Sequence, residues 1–318
     1  MAKVILVGYS IRIKKHNPKD YKKLRNFNGS SGDLSDILCK FLNANKGVKN
    51  IQGVGDQKTI YYDNINSFDD KNYSIIQAKA FVGGYGNKYD IIDFKSGNKS
   101  YQKKFNDTDA FPLHFIIAIP EINSNSSDIG FMVFEKFKKR GAKGFFATEF
   151  SDYFKTKFND YRIEIEPIVP EEVLTYLEKG GITETVIKGY QIPKNIEDDF
   201  ESGTSTNKRL SVTLTIKGRS PTKRMIDRIT KAIKNKKHGL NQLFTGELIG
   251  PHEIKLKSTY NGQEKTIVLK DDEEMLTPGL DITDQIKISI TDGYPEDSSI
   301  YPVEYEYIER LKETINRD

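Results

Sequence analysis

The chain has no tryptophan and only one cysteine among its 318 residues. A lone cysteine leaves no internal disulfide framework and no Cys-rich zinc site, and it suits a reducing compartment. Long apolar runs are missing too. The opening Val4–Val7 and the longest later run, Phe111 to Pro120, are of strand length, too short for a membrane span or a signal-peptide core. These absences predict a cytoplasmic protein without membrane contact. The nucleophile elbow Gly-x-Ser-x-Gly, the zincin helix, the kinase set and the dinucleotide fingerprint are all absent, which lowers the expectation of an enzyme. The four histidines, His16, His114, His238 and His252, are scattered without metal-ligand spacing. No cofactor is predicted from them.

What is present is clustered apolar sequence, 36% of the residues, with 18 Phe and 17 Tyr. The length allows two ordinary domains. Short β-branched and aromatic runs predict strands at Val4–Ile13, Thr59–Tyr62, Tyr73–Phe81, Tyr89–Phe94, Phe115–Pro120, Gly130–Glu135 and Tyr161–Ile168. Phe115–Pro120 and Gly130–Glu135 are expected to be antiparallel neighbours. Helices are expected near Leu34–Ala44, capped by the Ser31-Gly32-Asp33 segment, near Thr148–Phe158, and after Pro170. Glu201–Asn207 is the one stretch of linker-like composition, so it divides the chain at 1–200 and 208–318. The second part predicts a strand at Arg209–Ile216, a helix from Ser220-Pro221 to about Lys237, and strands at Glu253–Thr259 and Lys265–Leu269. Those last two flank Asn261-Gly262, a hairpin turn signal. A strand at Lys287–Thr291 and a closing helix at Val303–Asn316 complete it. The fold class is therefore α+β: a larger N-terminal domain with a mixed, mainly antiparallel sheet and helices, plus a smaller C-terminal α+β domain.

Net charge is only +4, but its distribution is uneven. Between Arg219 and Lys237 stand eight basic residues and one acid, Asp227; between Asp271 and Asp318 stand fourteen acids and four basic residues. On a helical wheel Met225, Ile226, Ile229, Ala232 and Ile233 share one side, opposite Lys223, Arg224, Arg228, Lys231 and Lys234. A row of cations on a rigid face can neutralise phosphates and release counterions, the main source of nonspecific nucleic-acid affinity. Arg219, Lys223, Arg224, Arg228 and Lys231 are thus the candidate nucleic-acid contacts. The competing structural explanation is a solvated face, or one neutralised by packing against the acidic C-terminal segment.

Two further basic groups are present. Lys14, Lys15, His16, Lys19, Lys22, Lys23 and Arg25 interleave with Tyr21 and Phe27, which could stack bases or simply anchor a loop. Lys136, Lys138, Lys139, Arg140 and Lys143 follow the Phe131–Phe134 run. Ile91-Ile92-Asp93-Phe94-Lys95 has the local form of a nuclease strand, with Asp93 holding Mg²⁺ and Lys95 positioning water. Acid-x-Lys pairs recur by chance in so charged a chain, and Asp93 and Lys95 could equally be a surface ion pair. Gly83-Gly84-Tyr85-Gly86 matches a phosphate loop only loosely and reads better as a turn between strands. Cys39 and His114 read as core residues. The acidic closing helix offers an apolar side to its own domain or to a protein partner.

As a Lys/Asn-rich chain of moderate length, with two α/β parts and no housekeeping signature, the protein resembles poorly characterised proteins of bacterial phage-defence, or abortive-infection, loci. The resemblance covers overall character rather than a motif and transfers no residue. It implies a component that contacts DNA or RNA, or a complex that handles them. A metal-dependent nuclease of the Asp-x-Lys type, with Mg²⁺ as its only cofactor, is the enzymatic alternative. The other alternative is a regulatory or structural subunit bound to a protein partner or to itself, without nucleic-acid contact.

Overall fold

The computed structural model describes residues 3–16, 20–30, 32–48, 52–53, 57–121, 128–137, 140–191, 211–218, 221, 223–235, 253–272 and 275–315. Among them the chain runs β1 (Val4–Lys15), β2 (Tyr21–Lys22), α1 (Leu34–Ala44), β3 (Gln52–Gly53), β4 (Lys58–Asp70), β5 (Tyr73–Gly84), β6 (Tyr89–Ile92), β7 (Lys99–Lys103), β8 (Phe111–Pro120) and β9 (Gly130–Phe137). It continues with β10 (Arg140–Gly141), α2 (Lys143–Lys157), β11 (Tyr161–Pro167), α3 (Glu171–Glu178), β12 (Gly181–Gln191), β13 (Ser211–Lys217), α4 (Lys223–Asn235), β14 (Glu253–Tyr260), β15 (Gln263–Asp272), β16 (Met275–Asp281) and α5 (Asp297–Ile315). The fold is α+β and the main sheet is antiparallel, in the order β13-β12-β14-β15-β16-β1-β9-β8-β5-β4-β3.

β1 is the axis. Its apolar run is buried on both faces because it lies mid-sheet. β9 pairs along one edge from Val4↔Phe137 to Ile11↔Gly130. The other edge is shared by β16 near its start and by β11 from Tyr9 onward. β8 and β9 are antiparallel neighbours, as their apolar runs predict, with Phe115 opposite Phe134.

On one face, Phe146, Phe150 and Phe154 recur every fourth residue of α2 and form a single ridge. That ridge packs on Phe41 of α1 and on Phe115 and Phe134 of the sheet. All six rings are essentially inaccessible. Each such burial is worth about 1.5–3 kcal/mol. Phe27 joins them between Phe154, Phe158 and Tyr161, so it is a core residue rather than a base-stacking platform. Asp33 caps α1 as expected, accepting from Ser35 N at 2.9 Å.

The opposite face of the same strands is covered by α5. This helix, expected in the smaller C-terminal domain, packs on β8, β9 and β1 and belongs to the large apolar cluster. That cluster gathers buried residues from Val4 to Phe154 and then from Val268 to Leu311. A second cluster joins α3, β12, α4, β14 and β15 through Val173, Leu177, Ile187, Ile226, Ile229, Leu256 and Leu269. The expected boundary at 201–207 lies outside the described residues.

The Asn261-Gly262 hairpin forms as predicted, with positive φ at both positions (49° and 76°). Three differences have clear causes. β12 begins at Gly181, which reads as a helix stop, and its Thr/Glu/Lys alternation hides a strand paired on both edges. β16 contains Pro278 and Gly279, both strand breakers on paper. Gly279 sits where an added Cβ would meet Ile5, so its lack of a side chain lets β16 approach β1. The strand expected at Lys287–Thr291 is reduced to a bridge, Ile288↔Pro295, because the chain reverses at once through Gly293 with φ 70°.

Candidate nucleic-acid interface

Helix α4 forms where its amphipathic pattern predicts. Ile226, Ile229 and Thr230 are buried against the second cluster, and the helix rests on α3 and β16. Lys223, Arg224 and Lys231 are exposed on the outer arc, while Arg228 is half-buried at its margin. Asp227 is exposed among them and offsets one of these charges. Among the described residues, no carboxylate pairs with Lys223, Arg224, Arg228 or Lys231. Arg219 lies outside the described residues.

The acidic C-terminal segment finds its cations elsewhere. Asp281 meets Lys3 at 2.6 Å, and Asp297 meets Lys79 at 2.5 Å. Glu306 pairs with Arg310 at 2.6 Å, and Glu309 pairs with Lys312 at 2.6 Å and Lys71 at 3.4 Å. Arg310 also reaches Glu172 of α3, at 2.8 Å. These four acids of the tail find their cations without drawing on α4.

The other basic groups are partly absorbed into the fold. Tyr21 carries Arg12 and Lys14 over its ring and donates to Glu164 at 2.9 Å, and Lys14 reaches Glu164 at 3.3 Å. Arg25 ties Asp33, Ser74 and the Pro120 carbonyl together. Lys143 is buried with its ammonium over Tyr9. Lys19, Lys138 and Lys139 lie outside the described residues. Cys39 is half-buried, and burial pushes its thiol up.

Strands β6 and β7 form a separate two-stranded hairpin between β5 and β8. Asp93 and Lys95, expected on a strand, lie instead in its turn. β6 ends at Ile92, and the Asp93 carboxylate accepts from Ser96 N at 2.7 Å while its carbonyl accepts from Gly97 N. That hydrogen bonding holds the carboxyl below its usual range. The Asp-Phe-Lys-Ser-Gly run therefore serves a tight turn, the ordinary role of Asp and Gly at such positions. Among the described residues, no group of three His, Cys, Asp or Glu side chains is placed to hold a metal ion. The same hairpin leaves Phe94 91% exposed, with Tyr89, Ile91, Ile92, Tyr101 and Phe105 also open to solvent.

At the base of the hairpin is a cleft of about 500 Å³, lined by Lys58, Tyr85, Tyr89, Lys103, Asp109, Phe111, Arg140 and Phe145, among others. Its floor is a tied cluster. Lys103, almost fully buried, donates to the Gly84 carbonyl at 3.0 Å and pairs with Asp109 at 2.9 Å. Tyr89 donates to the same carboxylate at 2.5 Å. Burial opposes the charge on Asp109, yet these two donors hold it below the usual carboxylate range. The Arg140 guanidinium carbon stands over the Phe111 ring, 3.3 Å from its centre, and Lys58 stands 5.5 Å over Phe145. Gly83 and Gly84, expected in a turn, instead close β5, paired with Thr59 and Lys58, and Gly83 lets the backbone of Asp109 cross the strand, since an added Cβ would overlap the Asp109 carbonyl. A Gly83→Ala variant should lose about 1–3 kcal/mol of stability by this overpacking, read from the midpoint of urea unfolding. Arg140 belongs to a basic group visible in sequence. Lys58, Lys103 and Asp109 carried no local signal, because only the antiparallel pairing of β4, β5 and β8 brings them together.

A second polar assembly centres on the buried His114 and Glu135. Lys79↔His114 is a register pair, and Glu135 stands beside His114 on the next strand. His114 Nδ1 is 2.7 Å from Glu135 Oε2, which also accepts from the His114 backbone N–H at 2.8 Å. His114 Nε2 is 3.1 Å from Asp297 Oδ1, on the first turn of α5. Tyr301 and Glu304 follow at helical spacing. His114 is thus a satisfied core residue, as expected, but its acidic neighbours were not legible. No helix among the described residues is long and apolar enough to cross a membrane. No protein-family model matches the chain, and no curated protein matches it in sequence.

Proposed function

We propose that the protein binds nucleic acid through the outer face of α4, as the nucleic-acid-handling component of a bacterial antiviral defence system. The carrying observation is the unmatched charge of that face. Lys223, Arg224 and Lys231 are exposed on a helix anchored through Ile226 and Ile229, and no described carboxylate pairs with them. Fixed cations on a rigid element meet backbone phosphates at little ordering cost, and counterion release then drives binding. Such contacts read charge rather than sequence, so both DNA and RNA are substrates for this face.

The test is binding of labelled single- and double-stranded DNA and RNA across a salt series, with and without Mg²⁺. The triple variant Lys223→Glu/Arg224→Glu/Lys231→Glu should bind at least tenfold more weakly at low salt. Its logarithmic salt slope should fall by about 2–3, because each phosphate contact contributes roughly 0.9. Unchanged affinity and slope would sink the assignment. Shortened product in the presence of Mg²⁺ would instead give first place to the nuclease reading.

A further inference from the structure

We infer that the cleft between β5, the β6–β7 hairpin and the start of α2 binds a nucleoside phosphate, free or at the end of a strand. The site stands apart from α4. The hairpin leaves the sheet at β5, six strands along the sheet order from β14, against which the α4 unit is built. The volume of about 500 Å³ fits a small-molecule site, for which roughly 300–1,000 Å³ is usual.

The lining states the chemistry. Lys103 is already committed to Asp109 and Gly84, so its charge sets the floor. Lys58 and Arg140 are exposed at the rim, and no ion pair among the described residues uses them. A phosphate is the ligand group that two such cations meet best. A guanidinium can grip it through two parallel N–H donors, and an ammonium adds a point charge. Arg140 is held against the Phe111 ring and is therefore preorganised for that grip.

Tyr85, Tyr89, Phe111 and Phe145 supply ring faces or edges in the same cleft. The Tyr89 ring is fixed by its bond to Asp109. Rings beside cations suit a flat heterocycle carrying an anion: the base stacks and the phosphate is charge-paired. Inorganic phosphate would leave the rings unused, and a nucleoside would leave the cations unused.

Calorimetric titration tests this with the four common nucleoside 5′-monophosphates, the matching nucleosides and inorganic phosphate. At least one monophosphate should bind tenfold or more tightly than its nucleoside and than phosphate. Arg140→Ala and Lys58→Ala, both at exposed positions, should each weaken it about tenfold or more, the equivalent of about 1.4 kcal/mol. A tetranucleotide with a 5′-phosphate, compared with its 5′-hydroxyl form, separates the two sources. Tighter binding of the phosphorylated strand than of any monophosphate assigns a strand end; the reverse assigns a free nucleotide. The α4 triple variant should bind the monophosphates as the natural chain does, so the two sites fail separately. The inference is overturned if no monophosphate outbinds its nucleoside, if neither substitution weakens binding, or if the α4 variant abolishes it.

Discussion

A His114→Ala variant should be less stable than the natural chain by about 3–5 kcal/mol, the usual cost of stranding a buried carboxyl group by removing its partner. Glu135 is wholly inaccessible, and one of its oxygens, Oε1, has no hydrogen-bond partner. Its other oxygen depends on His114, through both the ring and the backbone N–H. Alanine keeps the backbone donor and removes the ring, leaving a buried carboxylate with half its support. The same change frees Asp297 from Nε2 and removes the edge-on contact between His114 and Tyr301, so α5 loses two of its ties to the sheet. Since a domain holds only about 5–15 kcal/mol in all, the effect is large. Urea unfolding at neutral pH measures it. The double variant His114→Ala/Glu135→Gln should recover a substantial part of the loss, because the stranded charge is gone. Equal midpoints for the single and double variants would show that the cost is cavity formation alone.

The core strands and the helices were legible because local pattern and final environment agree. β1, β8 and β9 carry apolar runs that need cover on both faces, and they receive it, while β5 alternates buried and half-buried positions. Asn261-Gly262 could hardly do anything else than turn. The amphipathic wheel of α4 correctly separates Ile226 and Ile229 from Lys223, Arg224 and Lys231. What escaped depends on partners distant in sequence. β16 is made a strand by β15 and β1, against the local preference of Pro278 and Gly279. α5 starts at Asp297 and stands on the N-terminal sheet through Ile300, Tyr307, Ile308 and Leu311, with Asp297 tied to Lys79 and His114; no local feature announces that docking. Asp93 shows the opposite error. Asp-x-Lys has a familiar chemical form, but the Ser-Gly that follows makes it a turn. The cleft is the same lesson at the level of function, since its cations come from β4, β7 and β10 and meet only through strand pairing.

Glu304→Gln should stabilise the protein at neutral and alkaline pH while leaving it nearly unchanged near pH 4. Glu304 is fully buried on α5, and neither of its oxygens has a hydrogen-bond partner. Burial, and then the charge of Glu135, push its carboxyl well above the ordinary value. The groups that face this region are Glu135 and His114 from the sheet and Asp297 and Tyr301 from α5 itself, with Lys79 paired to Asp297. At pH below the ordinary carboxylate value, folded and unfolded chains both hold the proton, and Glu304 adds no pH dependence. Above it, the unfolded chain releases the proton and the folded chain keeps it. Stability therefore falls with rising pH, by about 1.4 kcal/mol per unit, until the folded value is reached. Asp297 acts in the opposite sense. Despite its burial, Lys79 and His114 hold it below the usual range, so its contribution is lost as pH falls. Asp297 is common to both proteins, so their difference isolates Glu304. Glutamine has no proton to lose, and its amide can donate to a carboxylate beside it. The gap between variant and natural chain should widen as pH rises above about 4 until the folded value is reached, as followed by urea unfolding at each pH. A constant offset over that range would mean that Glu304 is ionised and matched in the folded protein, and that the polar seam under α5 is held by charge rather than by a retained proton.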